Sequence, residues 1–252
     1  MNLNFDKSKN PMFSDEKLDK AIAVDANGQP RIADATDLMT VNGAVNKTLM
    51  LGLIMLIVTV YSYANPMQFF LPVGALGGAA VFMLTSFKPH LAPVTAPIYA
   101  MLQGLFVGTI SVMYAAQFDG IIFQALSLTI GTLLAMLMVY KSGLIKVTKN
   151  FRTGVTMAVG AIMIVYLISW IGSFAGFTVP FIHESGLLGI GITVVIIGVA
   201  ALNLLLDFDN FDKGEQRGAP QTFEWYYAMG LLFTLVWLFV EFLRLLSKLQ
   251  SD

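Results

Sequence analysis

The stretch TLMLGLIMLIVTVYSYANPMQFFLPVGALGGAAVFMLTSF, residues 48–87, decides the fold, because Lys47 and Lys88 bracket forty residues without one Asp, Glu, Lys or Arg. About 20 apolar residues cross a hydrocarbon core, so this stretch is long enough to cross twice. Asn65-Pro66 near its middle supplies a turn. The reading predicts a helical hairpin, with helices from about Ala44 to Ala64 and from Met67 to Phe87.

Similar charge-free stretches run from Pro89 to Phe118, Gly120 to Tyr140, Thr153 to His183 and Ser185 to Leu206. Pro93 and Pro97 suit the opening of a third helix ending near Gln117, since proline is tolerated in a first helical turn. Asp119-Gly120 marks the next turn. Helix four then runs from about Ile121 to Tyr140, helix five from Thr153 to Phe174, helix six from Gly186 to Leu206 and helix seven from Phe223 to Leu246. The fold class is all-α, a polytopic membrane protein of seven transmembrane helices. Composition agrees: 56% of the 252 residues are hydrophobic and 12% charged, against about 25% charged in a soluble domain.

Residues 1–40 mix acids, bases and turn formers and read as a soluble N-terminal tail, with 41–252 as the transmembrane domain. One short helix is expected in the tail, with Ser14 as cap, Asp15 and Glu16 in its first turn and Phe13 packed on Leu18. The first thirty residues lack the apolar core of a cleavable signal peptide. The first membrane helix is therefore expected to act as the insertion signal.

Basic residues accumulate on the cytoplasmic side of membrane helices. With the N-terminus inside, the tail and first helix start carry Lys7, Lys9, Lys17, Lys20, Arg31 and Lys47. Inner loops carry Lys88, then Lys141, Lys146, Lys149 and Arg152, then Lys213 and Arg217. Of the 15 basic residues only Arg244 and Lys248 are left for the outer C-terminus. An odd helix count with a cytoplasmic N-terminus and an external C-terminus follows.

A net charge of −1 gives no basic patch for nucleic acid. The absence of cysteine excludes disulfides, thiolate catalysis and Cys-based metal sites. His183-Glu184 resembles a zinc-protease motif only superficially, since Leu187 stands where the second histidine ligand belongs. His90 is the other histidine, and neither a Gly-x-Ser-x-Gly elbow nor a phosphate loop is present. The chain is therefore not expected to be an enzyme, and no cofactor is expected.

Polar groups at membrane depth are costly and tend to be functional. Asp207 and Asp209 are expected to close helix six, with Asp212 and Glu215 just beyond and Glu224 opening helix seven. Crowded carboxylates attract protons and hard cations such as Ca2+, which prefers oxygen ligands; a solvated acidic loop is the alternative. Glu241 has Arg244 at i+3, the spacing of an ordinary ion pair at the outer end of helix seven. It lies seventeen residues from Glu224, about 25 Å along a helix, so the partner of Asp207 is expected from Asp209 or the start of helix seven. Gln103, between small residues of helix three, reads as interhelical glue. Gly74-x-x-x-Gly78, Gly104-x-x-x-Gly108 and Gly172-x-x-x-Gly176 place small residues on one helix face, for tight packing within the bundle or for a dimer seam.

Four stretches carry a family resemblance. They are Met39-Thr-Val-Asn-Gly-Ala-Val-Asn-Lys-Thr48, Lys88-Pro-His-Leu-Ala-Pro-Val-Thr-Ala-Pro97, Gln103-Gly-Leu-Phe-Val-Gly108, and helices six to seven. The chain resembles a bacterial member of the transmembrane Bax inhibitor motif, or YccA-like, family, and most closely a subgroup with Glu224-Trp225-Tyr226 opening helix seven. The resemblance covers most of residues 39–249 and is not seen in the first thirty-eight.

It implies six helices around a central seventh, and a pH-sensitive calcium leak controlled by a carboxylate pair between helices six and seven. Asp207 matches the first acid of that pair. The second falls on Thr234, which cannot ionise, and Gln103 stands where members usually have Glu. The resemblance thus suggests a pH-sensitive cation leak channel of the bacterial inner membrane, with Ca2+ as permeant ion and Asp207 and Asp209 as candidate contacts for it. The alternatives are a non-conducting interaction protein that binds a partner such as a membrane protease, and a proton-coupled transporter.

Overall fold

A computed structural model describes residues 38–174 and 186–251. The expected short helix around Ser14, His183-Glu184 and the Gly176 end of the third glycine pair lie outside the described residues. Among the described residues seven helices are long and apolar enough to span a membrane: α1 (Val41–Ala64), α2 (Phe70–Phe87), α3 (Ala92–Ala115), α4 (Ile121–Ser142), α5 (Lys149–Phe174), α6 (Leu187–Gln216) and α7 (Thr222–Gln250). The hairpin turn falls at Asn65 as read from Asn65-Pro66. Gly120 starts α4 with φ of 72°, a left-handed conformation that glycine adopts without penalty.

α5 starts four residues before Thr153, at Lys149, and α7 runs four residues past Leu246, to Gln250; two other helices differ more from the reading. α2 holds a π-helical turn over Val73–Gly77, following Pro72, and π turns of this kind interrupt the regular hydrogen-bond ladder. α6 does not end near Leu206; it continues ten residues further to Gln216. Asp207, Asp209, Asp212 and Glu215 are therefore helical rather than a loop. Side chains that look like a helix end by charge do not stop a helix whose polar groups find partners.

The chain divides into two compact units, Met1–Phe106 with Asn210–Leu232 and Val107–Asp209 with Phe233–Asp252. In the first, glycines bring backbones together. A Cβ on Gly74 would lie 2.6 Å from the Leu102 carbonyl of α3, and one on Gly104 would lie 2.7 Å from the Met55 carbonyl of α1. Packing and hydrogen bonds, rather than exclusion from water, hold helices together in lipid. Ser62 of α1 donates to the Leu105 carbonyl at 3.0 Å, and the Thr85 and Thr95 hydroxyls of α2 and α3 meet at 2.7 Å. The faces of Gly74, Gly78 and Gly104 are thus taken up inside the chain.

The start of α1 is tied to the α6–α7 turn in the same unit. Leu38 bridges Pro220 and the Met39 amide donates to Ala219. Thr40 caps α1 by accepting from the Gly43 amide at 2.9 Å.

In the second unit, Tyr140 of α4 packs on Phe208 of α6. Burial separates the helices sharply: 61% of the apolar window of α7 is buried, against 6% in α5. Large apolar side chains such as Phe87, Phe123, Met157 and Leu188 point outward, as a lipid solvent permits. α7 is thus the most buried of the seven helices.

Candidate functional site

Asn203 and Asp207 are four residues apart on α6 and so share one face of it. Thr234 of α7 meets them. Its hydroxyl donates to Asp207 Oδ2 at 2.7 Å, and Asn203 Nδ2 lies 3.0 Å from Thr234 Oγ1 and 3.4 Å from Asp207 Oδ2. Asp207 is 3% exposed and Thr234 is fully buried. The hydrogen bonds to this carboxylate come from a hydroxyl and an amide, both neutral.

The expected partners of Asp207 are engaged elsewhere. Asp209 forms an ion pair with Arg152 at the start of α5. Glu224 belongs to the first unit, where its carboxylate accepts from the Thr40 amide at 3.0 Å and from the Thr40 hydroxyl at 3.4 Å. Glu215 accepts from the Val41 amide at 3.1 Å. The two glutamates supply negative charge to the first amides of α1, where the helix dipole favours it. The partner of Asp207 is instead the residue onto which the family resemblance placed the second acid, Thr234.

Seven residues along α7, two turns or about 10 Å, stands Glu241. Arg244 pairs with it at 3.2 Å as the i+3 spacing predicted, but this is not an ordinary ion pair at a helix end. Glu241 is 1% exposed and its Oε1 also accepts from the Tyr166 hydroxyl of α5 at 2.6 Å and from Trp237 Nε1 at 3.3 Å. Arg244 in turn donates to the Tyr166 oxygen at 2.8 Å and lies over its ring.

Seven residues further on, Lys248 is buried in α7 rather than free beyond it, and donates to the Gly189 carbonyl and the Thr193 hydroxyl of α6. Thr234, Glu241 and Lys248 therefore form a buried polar stripe on one face of α7. Gln103 is buried in the first unit, its amide against Gly78, which fits a packing role.

Asn203 and Trp237 were within reach of sequence reasoning, each lying four residues before its acid. Tyr166, Arg152 and Lys248 were not, because their partners are on other helices. Among the described residues no group of three or more His, Cys, Asp or Glu is placed to hold a metal ion.

A family model described as Bax inhibitor 1 like matches residues 10–251. The match reaches well into the N-terminal tail, which corrects the earlier limit of the resemblance at residue 39. No curated protein and no solved structure matched the chain. Seven membrane-length helices and a family match over nearly the whole length lead to one conclusion: the chain is a multi-pass membrane protein that belongs to the Bax inhibitor 1 like family.

Proposed function

We propose that this protein is a pH-sensitive cation leak channel in which ionisation of Asp207 opens the path. The observation that carries the reading is an acid buried within a membrane helix and hydrogen-bonded by neutral groups alone. Ionisable residues at membrane depth are retained mainly on ion and proton pathways. The family match supports the same reading, with Ca2+ as the ion the resemblance suggests.

The mechanism differs from one built on two acids. Thr234 cannot ionise, so opening by repulsion between paired carboxylates is not available. Protonated Asp207 presents no charge to a cation, whereas ionised Asp207 presents one. Flux therefore rises with pH. Purified full-length protein in liposomes should pass Ca2+ or Na+ faster at alkaline than at acid pH. A flux of both ions equal to that of protein-free liposomes at every pH would refute the reading.

Location in a bacterial inner membrane, with the N-terminus cytoplasmic and the C-terminus outside, belongs to the same proposal. It is supported by the division of basic residues along the chain. Because the chain has no cysteine, Ser8→Cys and Ser251→Cys give clean single labels. An impermeant thiol reagent on intact cells should label Ser251→Cys and spare Ser8→Cys; equal labelling means that the orientation is wrong.

A further inference from the structure

We infer that the Asp207 site takes a singly charged cation in preference to a divalent one. The inference rests on the cation-leak reading above and narrows its ion. The site offers three hard oxygen ligands of the kind alkali and alkaline-earth ions accept: the Asp207 carboxylate, the Thr234 hydroxyl and the Asn203 amide, whose oxygen faces the other two after a half-turn about its terminal bond. It offers only one negative charge.

The neighbouring charges do not add to it. Asp209 is neutralised by Arg152. Glu241 is neutralised by Arg244, and Lys248 adds a buried positive charge on the same face of α7. In the second unit, Asp207, Asp209 and Glu241 on α6 and α7 thus stand against Arg152, Arg244 and Lys248 on α5 and α7.

Ion valence then decides the balance. The cost of taking an ion out of water rises with the square of its charge, while its attraction to one carboxylate rises only in proportion. A divalent ion at this site therefore gains twice the attraction of a monovalent ion against about four times the desolvation cost. Ca2+ also asks for six to eight oxygens, commonly from more than one carboxylate. Thr234 is where a second acid would supply the missing charge.

The test compares Na+ and Ca2+ flux into liposomes holding the full-length protein, at the alkaline pH that favours ionised Asp207. Wild type should pass Na+ at least about tenfold faster than Ca2+, a ratio worth about 1.4 kcal/mol. Thr234→Asp should shift that ratio toward Ca2+ by about tenfold or more, and Asn203→Asp offers the same added charge if Thr234→Asp does not fold. Wild-type Ca2+ flux equal to or above Na+ flux overturns the valence assignment and leaves the leak reading standing. A folded acid variant with an unchanged ratio overturns it as well. Flux of neither ion from wild type overturns both.

Discussion

Asp207 and Glu241 are both acids buried inside membrane helices of the same unit, yet they are treated in opposite ways. Glu241 meets a guanidinium at 3.2 Å, a phenol at 2.6 Å and an indole N–H, so its charge is fixed in place. Asp207 is met by a hydroxyl and an amide. A carboxylate locked to an arginine is a structural part; one held by neutral donors can gain or lose a proton or a cation without stranding a partner charge. The polar residues of α7 thus divide into a fixed station and an exchangeable one, two helical turns apart.

The largest stability effect should come from breaking the fixed station. Glu241→Gln leaves Arg244 without its counter-charge. Loss of one member of a buried pair costs about 3–5 kcal/mol, reduced here to about 2–4 kcal/mol because Arg244 is 27% exposed and can reach toward the interface. Thermal unfolding in detergent should show a clear drop in midpoint. A midpoint unchanged from wild type would mean that the pair is not structural.

Tyr166→Phe comes next. It removes one hydroxyl that both donates to Glu241 and accepts from Arg244, for about 1–2 kcal/mol, near the upper end of polar contacts between membrane helices. The same unfolding measurement checks it, and flux against pH should keep its wild-type shape. A flattened pH profile in this variant would erase the distinction between the two stations.

The two stations were unequally legible in the sequence. The seven helices follow from charge-free stretches and from Asn65-Pro66 and Asp119-Gly120, because lipid contact imposes apolar composition on every span. Helix ends are set by capping and by polar partners instead. That is why α6 passes through Asp207 and Asp209 to Gln216 although charge pattern alone ends it at Leu206. Arg244 was legible from Glu241 at i+3, a local spacing. The links of Thr234 to Asp207, Arg152 to Asp209 and Tyr166 to Glu241 join different helices, and a single sequence carries no local signal of them. The family resemblance supplied the one long-range clue, by placing Thr234 opposite Asp207. The role of Glu215 and Glu224 at the start of α1 was missed for the same reason: their partners are backbone amides 174 and 184 residues earlier.

Thr234→Val should cost less, about 0.5–1.5 kcal/mol, since it removes one hydroxyl from the exchangeable station. The hydroxyl favours the ionised form of Asp207 by donating to it, so the flux profile of this variant should move to higher pH. A shift to lower pH would show that the hydroxyl does not serve the carboxylate in the conducting protein.

Asp207→Asn should have the smallest effect on stability, within about 1 kcal/mol, because an amide oxygen still accepts from Thr234. Its functional effect should be the largest of the four. The most direct test is therefore cation flux from acid to alkaline pH in liposomes containing Asp207→Asn or Glu241→Gln at matched protein content. The expected result is a low, pH-independent flux for Asp207→Asn and a preserved rise with pH for Glu241→Gln. A wild-type rise in Asp207→Asn together with a flat profile in Glu241→Gln would contradict the assignment of the exchangeable site to Asp207.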